Sequence, residues 1–514
     1  MAVLLAGSGA AAQNLETTIQ DDALMLHRSE PSVRATARQM AQLGFDRVRI
    51  TASWNTLAPS PRARKRPRGG FDPTDSKTYP ELSLDKLDRA VRATTDAGMA
   101  PMIDLAFWAP RWAVAKRGKQ RDRQRYIPKA VEFARFSGAL AKRYNGSFPD
   151  PRRKGRKLPA VQIWTTWNEP NHSSFLSPQW KRDGKGGWRA YSPHVYRAMH
   201  EAAYDTIKAA SPHNTVLVGG TTSIGSDTPG KGHVPPLEFL RTMACADALM
   251  QPLAVPECQG AGKIRADGYA HHPYSLDVTP GTSDPILDNA PIADIGRLAD
   301  TIDRLLAAGR INGDWPLYLT EYGYETAPPD PGARYSPEQQ VRHLAWANWL
   351  AYKRGDVRMH AQFLLRDIDG AESGFPVSSP RHWRDWQTGL LYHDGRPKPA
   401  AQGFKIPLHL QFAKGPNSEP ALLIWGGVRP GDGRRTVRLE RRDGTAGWRT
   451  ILTSDRSCNQ QNGEFLTAED GFFSALAAWE GPGVYRLGYL KGDSRWEYGP
   501  DVSVDAEQPA VSGG

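Results

Sequence analysis

Cysteine is scarce in this chain, with three in 514 residues. That excludes a disulfide-built scaffold, and also a cysteine-rich metal domain. Long apolar runs are missing as well. Outside the first twelve residues, no stretch approaches the roughly 18 apolar residues of a membrane span. No glycine-rich phosphate loop follows the first strand-like segment, which argues against a dinucleotide-binding open sheet. His, Cys and Asp fall nowhere at metal-ligand spacing, so neither a metal nor a cofactor is expected. Acidic residues are outnumbered, 55 against 66 Lys and Arg, for a formal charge of +11. A basic chain suits an anionic partner, but no nucleic-acid module is recognisable and none is expected to bind.

What remains is an ordinary globular composition, 39% hydrophobic and 24% charged, long enough for two domains. Short apolar runs alternate with amphipathic segments through most of it. Strands are expected near residues 15–26, 46–51, 101–107, 160–166, 215–219, 268–271, 317–320 and 359–365. Helical spacing fills the gaps at 31–43, 84–97, 131–144, 193–210, 292–308 and 336–352. Eight buried strands alternating with helices predict an α/β fold, the (β/α)8 TIM barrel, over residues 13–403. From 404 to 507 short strands at 421–425, 436–439, 448–452, 485–489 and 502–504, parted by turns such as Pro430-Gly431-Asp432-Gly433, predict a small C-terminal all-β sandwich. Residues 508–514 read as a loose tail. Residues 1–12 resemble the apolar stretch and small-residue cleavage site of a secretory signal, without its basic start. Cys245 and Cys258 lie close enough in sequence to close a short loop, and Cys458 is left over. Together these suggest a secreted or cell-envelope protein.

Two carboxylates stand out. Glu169 ends an apolar strand within Trp164-Thr165-Thr166-Trp167-Asn168-Glu169-Pro170-Asn171, and Glu321 ends another within Leu319-Thr320-Glu321-Tyr322-Gly323. In a barrel the residues following every strand meet at one face, where active sites lie. Two carboxylates there are the minimum for glycoside hydrolysis. Burial among tryptophans raises a carboxyl pKa and suits Glu169 to donate a proton. Sixteen tryptophans are many, and indole faces are common sugar platforms. Trp54, Trp108, Tyr322 and Trp386 are the candidate aromatic contacts. Glu325, one turn into its loop, is the weaker rival to Glu321.

The segments W-N-E-P at 167–170 and L-T-E-Y-G at 319–323 resemble the acid/base and nucleophile signatures of clan A retaining glycoside hydrolases, which include the cellulase-like families and family thirty-nine. That resemblance covers roughly residues 14–403. It implies that Glu169 is the acid/base, Glu321 the nucleophile and Arg49 of V-R-I the support for the nucleophile. Asn168 would contact the sugar 2-hydroxyl, and His272 and Tyr274 of H-P-Y would match the sixth-strand His-x-Tyr, with His271 competing for the histidine role. The third strand lacks a histidine that many members carry. The eighth lacks a tryptophan at its end, a gap for which Trp383 and Trp386 are candidates. The implied substrate is an oligosaccharide, polysaccharide or glycoside. A transglycosylase or a catalytically inactive carbohydrate-binding barrel would use the same residues. Basic residues at 62–68 and 116–125 follow the second and third strands and would flank the cleft, favouring acidic ligands. Those at 152–157 precede the fourth strand and belong at the opposite end.

Overall fold

The computed structural model describes residues 15–115, 123–383, 386–453 and 463–505. Eight parallel strands close a barrel: β1 Glu16–Gln20, β2 Arg47–Ser53, β3 Ala100–Ala106, β4 Ile163–Thr165, β5 Thr215–Thr222, β6 Gly268–His272, β7 Leu317–Leu319 and β8 Val357–Phe363. Neighbours in sequence are neighbours in the sheet, and β1 pairs with both β2 and β8. Parallel neighbours cannot be joined by tight turns, so a helix returns the chain outside the barrel after each strand. These include Glu30–Leu43, Glu81–Asp96, Ala130–Arg143, Ser192–Ala210, Ile295–Ala307 and Pro337–Tyr352. The last shows how sequence sets a boundary. Ser336 caps it by accepting from the Gln339 N–H, Gln339 reaches back to the Ser336 N–H, and Pro337 occupies the first turn.

Alternation along each strand divides the residues between two environments. Ile103, Val216, Val218 and Tyr269 face the helices. Met102, Ile163, Leu217, Ala270 and Met359 fill the barrel interior. Two residues further along three of these strands the inward positions turn polar, at Asp104, Thr165 and His272. The polar layer therefore lies toward the C-terminal ends, where the site is expected.

The first segment differs from its sequence reading. After β1, Asp21 accepts from the Leu24 N–H and starts a short helix, Asp22–Leu26, in place of a turn. Beyond the helix Pro399–Lys405, two antiparallel sheets form the C-terminal sandwich. Three of its strands, Leu408–Lys414, Glu464–Leu466 and Trp496–Tyr498, are absent from the sequence reading. A fourth, Phe472–Ala478, is alanine-rich and reads locally as a poor strand, yet seven consecutive pairs to Pro420–Gly427 decide its conformation.

The sandwich docks on the helix Pro337–Tyr352 and on the chain beside the N-terminal ends of β1 and β2. Buried Arg429 donates to the Phe404 carbonyl (2.5 Å) and to Asn348 Oδ1 (3.0 Å), and Tyr352 donates to Asp470 (2.9 Å). Gly44 ends its helix at φ 90°, and a Cβ there would lie 2.5 Å from the Arg429 side chain, so glycine is required twice over. Docking at this end leaves the opposite mouth of the barrel open. Cys245 and Cys258 are bonded, with Cα atoms 5.6 Å apart. No helix among the described residues is long and apolar enough to cross a membrane. Arg152 and Arg153, which precede β4, pair with Asp85 and Asp96 of the helix before β3. Residues 116–122, Cys458 and the two termini (1–14 and 506–514) lie outside the described residues.

Replacing Arg429 with Met leaves a carbonyl and an amide oxygen buried without donors. That should lower stability by about 2–4 kcal/mol, measured as a fall in the urea midpoint. An unchanged midpoint would mean that the interface does not depend on this side chain.

Candidate active site

Arg49 points inward from β2 and is 1% exposed. Its guanidinium gathers four other parts of the chain. Nη1 donates to Gln20 at the end of β1 and to Glu321 Oε1 after β7 (2.5 Å). Nη2 donates to Asn168 Oδ1 after β4 (2.9 Å) and lies 3.0 Å from Asp104 of β3. Asp104 also accepts from the Thr165 hydroxyl, which ties β3 to β4. The Gln20 amide is held by Asp22 (3.0 Å) and Thr51 (3.2 Å). A buried cation must be met by charge and by hydrogen bonds. Here that requirement fixes a carboxylate and an amide at the barrel mouth.

The loop after β4 is shaped by backbone conformations that side chains seldom adopt. Trp167 has φ 105° and Glu169 φ 43°. The buried Trp167 ring packs edge-on against Phe133 at 5.5 Å, and the Glu169 N–H donates to the Gly220 carbonyl (2.8 Å). Gly220 favours that approach, since its φ is 64° and a Cβ there would sit 3.1 Å from the Trp167 carbonyl oxygen. The loop thereby turns Glu169 into the cleft.

His272 lies between the two carboxyls. Its Nδ1 is 3.0 Å from Glu169 Oε1 and 3.6 Å from Glu321 Oε2. Tyr274 donates to Glu321 Oε2 at 3.4 Å. Within the group Glu169, His272 and Glu321, oxygens of the two carboxyls come within 4.8 Å of each other. The same three groups are close enough to share a metal ion, but the guanidinium on Glu321 would repel it. Burial pushes Glu169 up to about 7, opposed only by the charge of Arg49. Burial also raises Glu321, which Arg49 opposes by direct contact. Burial lowers His272 to about 4, so near neutral pH the ring is uncharged and its hydrogen bond is to Glu169.

A cleft of about 540 Å³ opens over these groups. One wall carries Tyr274 and Trp386, stacked at 5.5 Å, with Trp386 39% exposed. Trp386 stands edge-on to Phe363 at the end of β8, so this loop tryptophan occupies the gap noted there. Trp383 packs on His382 instead. The other wall carries Phe107, Phe175, His172 and His233, none of which the sequence had marked. Gln20 and Asp104 were also unmarked. A strand-end position and a charge inside an apolar strand were the available signals for those two.

Several expected contacts lie elsewhere. Trp54 is 0% exposed and packs among Trp112, Phe133 and Phe136, because it follows β2 on the helix-facing side. Tyr322 is buried behind the cleft, where it supports the Tyr274 ring from 6.1 Å. His271 faces outward and is satisfied by Thr221 (2.8 Å) and the Ala290 carbonyl (2.7 Å). Trp108 stands at the rim, 38% exposed, and donates to the Ser174 carbonyl at 2.7 Å. Glu325 lies outside this cleft, in a side pocket behind Trp386.

The model of one family, described as cellulase (glycosyl hydrolase family 5), matches residues 7–354. A sequence search finds no match among curated proteins. Among solved structures, the chain is similar to a calcium-binding mutant of Bacteroides uniformis beta-glucuronidase 2, with 10% identity and a TM-score of 0.43. That alignment covers 96% of this chain and 45% of the other, so this chain spans about half of that protein's length. A glucosidase from Croceicoccus marinus aligns at 13% identity over 91% of this chain and 96% of its own, with a TM-score of 0.46. The beta-glycosidase from Thermosphaera aggregans aligns at 15% identity over 76% and 95%, with a TM-score of 0.45.

Arg49→Met should destabilise the barrel by about 3–5 kcal/mol, because it strands the buried Asp104 carboxylate. Glu321→Gln should cost less, since Asp104 still balances the guanidinium. Urea unfolding of both variants checks the order, and the reverse order would contradict it.

Proposed function

The chain belongs to the cellulase family, glycosyl hydrolase family 5, and we propose that it hydrolyses O-glycosidic bonds by double displacement with retention of configuration. The observation that carries this reading is the pair of carboxyls after β4 and β7, whose oxygens approach within 4.8 Å. Retaining enzymes hold their carboxyls about 5–5.5 Å apart, whereas inverting enzymes leave room for a water, at roughly 6.5–9.5 Å.

The two roles follow from environment. Both carboxyls are dry, but only Glu321 touches a guanidinium, so Glu321 ionises first. As the carboxylate it attacks the anomeric carbon, and Tyr274 and Arg49 hold it in line. Glu169, pushed up to about 7, keeps its proton to that pH and donates it to the departing oxygen. Once the first product leaves, Glu169 as a carboxylate takes a proton from water. That water attacks the glycosyl–Glu321 ester and frees the sugar with its configuration restored. Asn168, oriented by Arg49, offers its amide N–H groups to a sugar hydroxyl, and the exposed part of Trp386 offers a ring face. The disulfide and the apolar first residues support a secreted or cell-envelope location.

The test is a glycoside panel with the anomer of the first product read by NMR. Retention is expected, and inversion would contradict the carboxyl geometry. In acceptor-rich mixtures, glycosides longer than the substrate would favour the transglycosylase alternative, and no turnover by a folded protein would favour the binding-barrel one. For pH, kcat/KM should fall as pH rises through about 7, where Glu169 loses its proton. Glu169→Gln should lower kcat/KM by roughly 10²–10⁴-fold and remove that alkaline limb. A limb that persists in the variant would assign it to another group.

A further inference from the structure

Three residues beyond Glu169 the same loop brings His172 to the cleft wall. Its ring lies on that of His233, from the loop after β5, with centroids 3.6 Å apart and planes at 29°. Each Nδ1 is engaged: His172 accepts from the Ser174 N–H and His233 from the Ser173 N–H, both at 3.1 Å. A neutral imidazole has one donor and one acceptor nitrogen, so a ring that accepts at Nδ1 carries its proton on Nε2. Neither Nε2 has a protein partner among the described residues. Burial and the neighbouring His233 push His172 down to about 4, and burial lowers His233. Near neutral pH the pair is therefore uncharged, with two N–H donors held by the backbone and no acceptor among the described residues.

The position of the pair gives it a role. β4 and β5 are adjacent, so their loops make one wall, the wall that also bears Glu169. Tyr274, Glu321 and Trp386 follow β6, β7 and β8 and make the wall facing it. A sugar attacked by Glu321 would lie against the stacked Tyr274 and Trp386 rings, and the group that leaves with the Glu169 proton would then lie on the His172–His233 side. Both Nδ1 atoms face adjacent N–H groups of Ser173 and Ser174, which leaves the two Nε2–H donors on the far side of the stack, and two donors match the two oxygens of one planar group better than a single hydroxyl. Among the described residues, no carboxylate contributes to the shift of either ring.

We infer that His172 and His233 form a leaving-group subsite that reads a carboxylate, so that the residue released is acidic, as a uronic acid is. This rests on the retaining-glycosidase reading above and names the class of substrate for that site.

The probes are 4-carboxyphenyl and 4-carbamoylphenyl glycosides of a sugar that the enzyme turns over. The carbamoyl phenol is the better leaving group, so chemistry alone favours the neutral probe. The subsite should reverse that, giving the carboxylate probe a kcat/KM at least about tenfold higher, the worth of one charge-assisted hydrogen bond. Asn places an oxygen near the position of histidine Nδ1 and nothing at Nε2, whereas Gln places a donor near Nε2 and nothing at Nδ1. His172→Asn and His233→Asn should therefore lose the preference, and His172→Gln and His233→Gln should keep most of it. A pair that only braces the loop gives the opposite pattern. The inference is overturned by that opposite pattern, by equal turnover of the two probes, or by a preference that survives both Asn variants. Failure to cleave any glycoside would instead overturn the hydrolase reading, and this inference with it.

Discussion

A guanidinium buried in the barrel mouth sets most of what surrounds it. Arg49 has no water to solvate it, so its charge must be met by protein groups. The groups that meet it are Gln20, Asp104, Asn168 and Glu321, drawn from β1, from β3 and from the loops after β4 and β7. Those loops carry the two candidate catalytic carboxyls. A buried ion pair is weak evidence for stability, because desolvation cancels much of the attraction. What this one provides is position. It holds a carboxylate in a dry cleft and aims the amide beside the second carboxyl.

The same dryness acts differently on the two acids because only one touches the cation. Burial alone would raise both carboxyl pKa values. Contact with Arg49 favours the charged form of Glu321 and leaves Glu169, which has a histidine neighbour of low basicity, free to keep its proton. The acid is turned into the cleft by a backbone held at positive φ, and that loop lies close against β5 at Gly220. The sandwich takes no part in this. It is anchored through Arg429, Tyr352 and Gly44 at the far end of the barrel, so the cleft is built by the barrel alone.

How much of this was legible in the sequence depended on how local each signal was. Glu169 and Glu321 could be found because each ends an apolar strand and the barrel rule brings strand ends together. His272 and His271 are adjacent in sequence and could be separated only by strand parity, which a shift of one residue in the assumed strand end reverses. Trp54 and Tyr322 were misplaced for a related reason: an aromatic next to a strand end points into the cleft on one parity and into the packing on the other. Trp386 was reachable through the gap at the end of β8. His233 was not, because its glycine- and proline-rich loop has no periodicity to orient a side chain. The strand Phe472–Ala478 owes its form to its partners, and composition carries little of that information.

Azide rescue tests at once whether Glu321 attacks the sugar and whether Glu169 handles the proton. Azide is small enough to stand in for a deleted carboxylate, and it attacks from the face that carboxylate occupied. With Glu321→Ala it should restore cleavage of an activated glycoside and yield a glycosyl azide of inverted configuration. With Glu169→Ala it should intercept the glycosyl–Glu321 ester and yield the azide of retained configuration. The opposite pairing of products, or no glycosyl azide from either folded variant on a glycoside that the unaltered enzyme cleaves, would contradict the account.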